Sequence, residues 1–230
     1  MDMVQTENIT LQVADGTSMN AYVATPADGA KLPGLLVFQE AFGVNQHIRS
    51  VADGYAKDGF LVIAPALFDR VEKHVDLTYE GEDRNKALSF MPMIKMEDAL
   101  KDMAAALNYG HSESGKKAGT IGYCWGGTLS WLSATRLDPD AAVGYYGGGI
   151  GSFAAETPTA PVMLHFGKLD SHIPKEDIDR LQAAHPAVEI FWYDAAGHGF
   201  NCDLRSSYEP ASAKLARERS LSFLMKNLAS

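Results

Sequence analysis

The feature that most constrains the fold is a series of short, almost uninterrupted apolar runs bounded by turn residues. Leu35–Phe38 and Leu61–Ala66 are examples. Such runs are typical of strands that are covered on both faces, as in a parallel sheet. Eight strands are predicted, at Ile9–Val13, Met19–Thr25, Pro33–Gln39, Phe60–Ala66, Ala118–Cys124, Ala141–Tyr146, Pro161–Phe166 and Val188–Tyr193.

Segments with helical spacing lie between these strands from about Pro33 onward. They are His47–Asp58, Met93–Asn108, Gly126–Arg136, Lys175–Ala184 and Ala211–Asn227. This alternation predicts an α/β protein with a mostly parallel sheet and helices on both faces. The first two strands, joined around Asp15-Gly16-Thr17, are predicted to form a hairpin at the sheet edge. Residues Phe68–Met91 are charged and irregular, which indicates a surface excursion.

Length and composition favour a single globular domain. The chain has 230 residues, 46% hydrophobic and 21% charged, enough for one sizeable core, and no linker divides it. The net charge of -9 and the lack of a Lys/Arg cluster argue against nucleic-acid binding. An anionic small molecule would need a local arginine.

No apolar run approaches the roughly 18 residues of a membrane span, and Met1–Thr10 lacks the features of a secretory signal. A cytoplasmic protein is therefore expected, with Cys124 and Cys202 as free thiols. Neither a metal nor an organic cofactor is expected. Cysteines and histidines lack the paired spacing of a zinc site. The sequence leaves monomer and homodimer equally open.

The most informative motif is Gly122-Tyr-Cys124-Trp-Gly-Gly127, which follows an apolar strand and precedes a helix. This is the nucleophile-elbow pattern with sulfur in place of the usual oxygen. The sharp turn strains its central residue, and Gly122 and Gly126 are predicted to leave room for it. Cys124 is thereby predicted to be a nucleophile at a helix N-terminus, where the helix dipole favours the thiolate. The alternative is an inert buried cysteine.

The same motif predicts an oxyanion hole. The backbone N–H of Trp125 follows the nucleophile, and a second donor comes from the loop after the third strand, at Ala41.

Asp170 and His198 complete the predicted site. Asp170 follows one buried strand and His198 follows the last strand, so both are expected at the same sheet edge as Cys124. The order nucleophile, acid, histidine is that of the α/β-hydrolases. The alternatives are a turn-forming aspartate and a solvated loop histidine. Other histidines fit less well: His165 falls inside a strand, His185 at a helix end, and His172 close enough to crowd Asp170.

On these motifs the chain resembles the dienelactone hydrolase family, the carboxymethylenebutenolidases of aromatic-ring degradation. The resemblance covers nearly the whole chain. It rests on Phe38–Val44, Gly122–Gly127, Val143–Gly147, Gly167–Pro174 and Gly197–Phe200.

The resemblance implies further roles. Glu40 would hold the resting thiol and help to deprotonate it, although a glutamate here is otherwise read as a solvated loop charge. Arg84 would bind a substrate carboxylate. The family's second arginine position holds Cys202 here, and Arg205 lies three residues further on.

Tyr145, Trp125 and Phe42 are candidates for lining the pocket, with core packing as the alternative. The expected reaction is opening of a small lactone or ester by Cys124, His198 and Asp170. One rival is a general carboxylesterase or thioesterase acting on neutral esters. The other is a thiol-based binding or redox protein on the same fold.

Overall fold

The structure is a computed structural model that describes residues 4–27 and 32–229. The chain divides into two compact units, Met1–Gly119 and Thr120–Ser230. The idea of a single domain stays a prediction. None of the described helices combines the length and apolar character that crossing a membrane requires.

The first unit is built on a hairpin and a parallel strand pair. Strand β1 pairs antiparallel with β2, β2 pairs antiparallel with β4, and β3 runs parallel to β4. The predicted turn at Asp15 is confirmed: the Asp15 carboxylate accepts bonds from the Thr17 N–H at 3.1 Å and the Thr17 hydroxyl at 2.7 Å. The elements are β1 (Val4–Gln12), β2 (Ser18–Pro26), β3 (Gly34–Phe38), α1 (Gln46–Lys57), β4 (Leu61–Pro65), α2 (Gly81–Phe90) and α3 (Met96–Ser114).

The second unit contains the parallel strands that carry the thiol motif. Strand β5 pairs with β6, β6 with β7 and β7 with β8, all parallel. Because parallel strands need crossover connections, helices follow most of them. The elements are β5 (Ala118–Tyr123), which starts at the end of the first unit, α4 (Trp125–Arg136), β6 (Ala142–Tyr145), β7 (Val162–Gly167), α5 (Lys175–Ala184), β8 (Glu189–Tyr193) and α6 (Pro210–Leu228).

The burial of the strands explains their sequence. Every residue of β3, β5, β6 and β7 is buried, so side chains on both faces of these strands are covered. This is why they read as continuous apolar runs and not as an alternating pattern. The predicted α/β class and the eight predicted strands are confirmed.

One missed helix and two element boundaries are the main differences from the prediction. The supposedly irregular excursion contains helix α2, which the sequence hides because only Ala87 and Phe90 of its residues are buried. Strand β1 starts at Val4 and not at Ile9, since its first half is largely exposed and carries no apolar pattern. Helix α3 runs from Met96 to Ser114, where Gly115 ends it in the left-handed conformation at φ 57°.

Candidate active site

Cys124 sits on a strained turn between β5 and α4. Its φ of 55° lies in the left-handed region, which a residue with a side chain rarely adopts. The turn is held by the backbone: the Cys124 N–H donates to the Tyr145 carbonyl at 3.0 Å, and the Gly127 N–H donates to the Cys124 carbonyl at 2.9 Å. The predicted elbow geometry is therefore present.

The elbow demands glycine at position 122. A Cβ atom there would lie 2.0 Å from the carbonyl oxygen of Gly126, far inside any tolerated contact. Gly127 is constrained in the same way, because its Cβ would fall 2.4 Å from the Tyr145 carbonyl oxygen. The helix can start directly after Cys124 only because both positions lack side chains.

The strand ends bring a histidine and an aspartate to this thiol. The Nε2 atom of His198 lies 3.1 Å from Cys124 Sγ, and its Nδ1 atom lies 2.7 Å from Asp170 Oδ2. Asp170 follows β7 and His198 follows β8, as predicted. The Asp170 side chain is fully buried, and 16% of the His198 side chain is exposed. Three groups from three loops thus form one hydrogen-bonded series; their catalytic roles stay predictions at this point.

The charges in this series reinforce one another. Burial lowers the pKa of His198, but hydrogen bonds and charge interactions with Asp170 and Cys124 outweigh burial and raise that pKa from its ordinary 6.5 to about 10. Burial likewise opposes ionisation of Asp170, yet the hydrogen bond and charge of His198, together with hydrogen bonds from the His172 backbone and side chain, hold the Asp170 pKa below its usual value. The site therefore favours the imidazolium form of His198 beside an ionised Asp170.

The competing histidines occupy the positions that the sequence predicted. His165 lies in β7 and is fully buried. His185 follows α5 and its Nε2 atom bonds to the Ala154 carbonyl at 2.8 Å. His172 lies against Asp170: its N–H donates to Asp170 Oδ1 at 2.9 Å, and its Nδ1 atom is 3.3 Å from the same oxygen.

A buried polar network that the sequence did not reveal involves His165. Its Nδ1 atom lies 2.9 Å from the Tyr193 hydroxyl and its Nε2 atom 2.9 Å from the Ser220 hydroxyl. The Ser220 hydroxyl also lies 2.7 Å from the Tyr145 hydroxyl, and the Arg219 guanidinium donates a hydrogen bond to the Tyr193 hydroxyl at 3.2 Å. Tyr193 is the last residue of β8, so the network anchors the strand that leads to His198.

The buried His165 should make the protein sensitive to acid. Burial, with a contribution from the Arg219 charge, lowers the pKa of His165 from 6.5 to about 3. Below pH 6.5 His165 therefore binds a proton in the unfolded chain but not in the folded chain. The free energy of unfolding decreases as the pH falls below 6.5. The loss from this group is about 2–3 kcal/mol between pH 6.5 and 4.5. Chemical unfolding of wild type and His165→Gln over this range measures it.

The glutamine variant keeps one donor and one acceptor but does not titrate. Its free energy of unfolding should therefore fall less steeply with acid than that of wild type. Parallel curves for the two proteins would contradict the assignment, and His111→Gln, at a half-buried histidine in the last turn of α3, is the matched control.

Some of the aromatic residues near the site belong to the hydrophobic core, and others lie beside His198 or Cys124. Tyr145 is fully buried with its hydroxyl on Ser220, which favours the core-packing alternative. The ring of Tyr146, which the sequence did not single out, lies 5.2 Å from that of His198. Trp125 is the first residue of α4 and is partly exposed.

Arg205 lies beside the histidine loop. A Cβ atom on Gly199 would fall 2.6 Å from the Arg205 guanidinium, so the arginine side chain covers the residue that follows His198. The sequence alone places Arg205 only as three residues beyond the family's second arginine position. Cys202, in the same loop, is buried, and no disulfide joins it to Cys124 within the described chain.

The remaining predicted site residues belong to the first unit. Glu40 is fully buried and accepts a hydrogen bond from the Tyr79 hydroxyl at 2.7 Å, so it is not a solvated charge. Tyr79 in turn accepts from the Asn45 side chain at 3.2 Å and packs on Phe42, with ring centres 4.5 Å apart. Ala41 is buried beside them. Nothing in the sequence linked Tyr79 to Glu40, because the contact joins distant segments.

Arg84 lies on the missed helix α2. It is exposed, and no ion pair joins it to an acidic side chain among the described residues. The neighbouring Asp83 is engaged differently, since it accepts bonds from the N–H and hydroxyl of Thr78.

Comparison with known proteins gives the family. The model described as the dienelactone hydrolase family matches residues 19–228. A carboxymethylenebutenolidase of Pseudomonas putida is 34% identical over 227 residues, covering 95% of this chain and 96% of the relative. The chain belongs to the dienelactone hydrolase family. As a member of that family it is a hydrolase of the carboxylic ester class, as predicted.

Solved structures agree with this assignment. A provisionally assigned dienelactone hydrolase of Klebsiella pneumoniae subsp. pneumoniae is 27% identical, with a TM-score of 0.84 over 98% of this chain and 100% of that chain. Brefeldin A esterase, a bacterial protein, has a TM-score of 0.72 at 16% identity, covering 99% of this chain and 78% of that chain, and bears on the fold alone. The predicted α/β-hydrolase fold of this dienelactone hydrolase family member is confirmed.

Proposed function

We propose that this hydrolase opens a small lactone or ester by acyl transfer to Cys124, with His198 and Asp170 as its catalytic partners. The observation that carries the proposal is the series Sγ to Nε2 at 3.1 Å and Nδ1 to Oδ2 at 2.7 Å. A nucleophile bonded to a base that a third group orients is the arrangement that covalent catalysis requires.

In the proposed first step, the Cys124 thiolate attacks the carbonyl carbon and the carbonyl π electrons move to oxygen. The resulting oxyanion is stabilised by the N–H of Trp125 at the start of α4, and the resemblance assigns a second N–H to Ala41. The tetrahedral intermediate then collapses to a thioester, and the leaving alkoxide takes its proton from the His198 imidazolium.

In the second step, neutral His198 removes a proton from water, which attacks the thioester. Collapse of this intermediate expels the Cys124 thiolate, and the proton stays on His198. Asp170 keeps the imidazole oriented through its 2.7 Å bond and stabilises its charged form. The raised pKa of His198 supports this part of the proposal, because it favours the ion pair that starts the cycle.

Glu40 is proposed, from the family resemblance, to assist deprotonation of the thiol. Its burial and its short bond from Tyr79 support a specific role over that of a surface charge. Tyr79→Phe would remove the hydrogen bond to Glu40 and keep the packing of the aromatic ring against Phe42.

For the substrate, an anionic lactone is proposed, with Arg84 and Arg205 as carboxylate-binding residues and Phe42 in the pocket wall. Arg84→Ala is expected to raise KM for anionic lactones by about tenfold, which corresponds to loss of one charge-assisted contact of about 1.4 kcal/mol. The KM for neutral aryl esters should not change. Steady-state kinetics on dienelactone and p-nitrophenyl acetate measure both.

The neutral-ester alternative makes the opposite prediction. A general carboxylesterase or thioesterase would lose nothing in Arg84→Ala on either substrate, and wild type would prefer the neutral ester. Lys86→Ala, on the same helix, is the matched control, because Lys86 pairs with Glu72. A thiol-based binding or redox protein would hydrolyse neither substrate.

A further inference from the structure

A second histidine shares the carboxylate that orients His198. His198 Nδ1 is 2.7 Å from Asp170 Oδ2, and His172 Nδ1 is 3.3 Å from Asp170 Oδ1. The two imidazole rings lie 5.1 Å apart, and one nitrogen or oxygen from each residue lies within 4.8 Å of the others. No step of the proposed acyl transfer moves a proton to or from the His172 imidazole, so the convergence of two imidazoles on one carboxylate points to a further role.

These donors are the ones that zinc prefers. Zn²⁺ binds imidazole nitrogen and carboxylate oxygen at about 2.0–2.2 Å, so two ligands of a tetrahedral ion lie roughly 3.3 Å apart. The contacts to Asp170 are already close to that spacing. To admit the ion, the bond between Asp170 and His198 would open and the three ligand atoms, which lie within 4.8 Å of one another, would adjust to about 3.3 Å.

A backbone hydrogen bond positions the Asp170 carboxylate, and the His172 side of the site is open to solvent. The His172 N–H donates to Asp170 Oδ1 at 2.9 Å, which fixes the carboxylate relative to the His172 backbone. The His172 side chain is 72% exposed whereas that of Asp170 is fully buried. An ion can therefore enter from the His172 side and reach a ligand that water does not cover.

We propose that Asp170, His172 and His198 form a binding site for Zn²⁺, and that zinc bound there inhibits the hydrolase. Three protein ligands leave the fourth position for water. The ion takes the Nδ1 atom and the carboxylate that otherwise orient the imidazole, and it competes with the proton on His198. The proposal of zinc binding depends only on these three ligands, whereas the proposal of inhibition depends on the proposed function as well.

A different zinc site would use the thiol. Cys124 Sγ and His198 Nε2 lie 3.1 Å apart, and a thiolate is also a zinc ligand. The two arrangements differ in which residue they need: His172 for the proposed site, Cys124 for the other.

Binding is tested without reference to activity. Zn²⁺ affinity is measured by competition with a chromophoric chelator for wild type, His172→Gln, Cys124→Ala and the control His74→Gln, at another exposed histidine. We expect one equivalent bound by wild type, at least about tenfold weaker binding by His172→Gln, and wild-type affinity in the other two. Co²⁺ in place of Zn²⁺ should give visible ligand-field bands without sulfur-to-metal charge transfer.

Inhibition is then measured as the zinc concentration that halves each protein's own uninhibited rate. This concentration should rise at least about tenfold in His172→Gln and be unchanged in His74→Gln. EDTA should reverse the inhibition. Equal affinity in wild type and His172→Gln, or loss of binding with Cys124→Ala, overturns the site. Full hydrolysis by Cys124→Ala with zinc still bound would instead refute the proposed function and leave the metal site standing.

Discussion

Replacing Cys124 with alanine is expected to lower kcat for ester hydrolysis by at least about 10⁴-fold, because the proposed covalent step has no nucleophile left. The fold should persist, since the thiol is partly exposed and contributes little packing. The free energy of unfolding should change by less than about 1 kcal/mol. Turnover of p-nitrophenyl acetate and chemical unfolding are the two measurements.

The chain offers its own matched control in Cys202, which is buried. Iodoacetamide should label native wild type and Cys202→Ala at one thiol, and native Cys124→Ala at none. Undiminished turnover by Cys124→Ala would remove this residue from the mechanism. A Cys124 thiol that resists alkylation in wild type would count against an accessible elbow.

Replacing Asp170 with asparagine should produce the second-largest effect, a loss of about 10²–10⁴-fold in kcat. An amide cannot supply the charge that holds His198 as an imidazolium, and its N–H₂ group can turn the imidazole to the wrong tautomer. The carboxylate of Asp170 is one cause of the raised His198 pKa, so that pKa should fall toward its ordinary value in the variant.

The direction of the pH effect follows from that shift. In wild type the raised pKa keeps the proton on His198 well above pH 6.5. In Asp170→Asn His198 loses its proton at lower pH, so alkylation of Cys124, which the imidazolium favours, should slow at neutral pH and its pH profile should shift. Asp194→Asn, at an exposed aspartate paired with Lys168, should leave the profile unchanged. Superimposable profiles for wild type and Asp170→Asn would refute the coupling.

Much of the second unit follows from local sequence. The glycine at position 122, an apolar strand before it and a helical segment after it predict the elbow, because only that turn needs such residues at that spacing. Asp170 and His198 were located because parallel strands place their carboxyl ends at one edge. Their hydrogen-bonding distances agree with that expectation.

Other features depend on contacts between residues far apart in the chain. Helix α2 was missed because its burial comes from tertiary packing at Ala87 and Phe90 and produces no regular apolar stripe. Tyr79 reaches Glu40 across 39 positions, and Ser220 reaches His165 across 55. Sequence periodicity carries no information on such pairs.

The sequence by itself determined the class of fold, the strained cysteine turn and the chain order of Cys124, Asp170 and His198. Strand burial and the steric demands of a turn depend on residues that are neighbours in the chain, so the sequence reveals them. Tertiary structure alone decided which groups share the Asp170 carboxylate, which aromatic rings are core, and how far the His198 pKa rises. Those properties depend on distances and burial, which are set only when separate segments pack together.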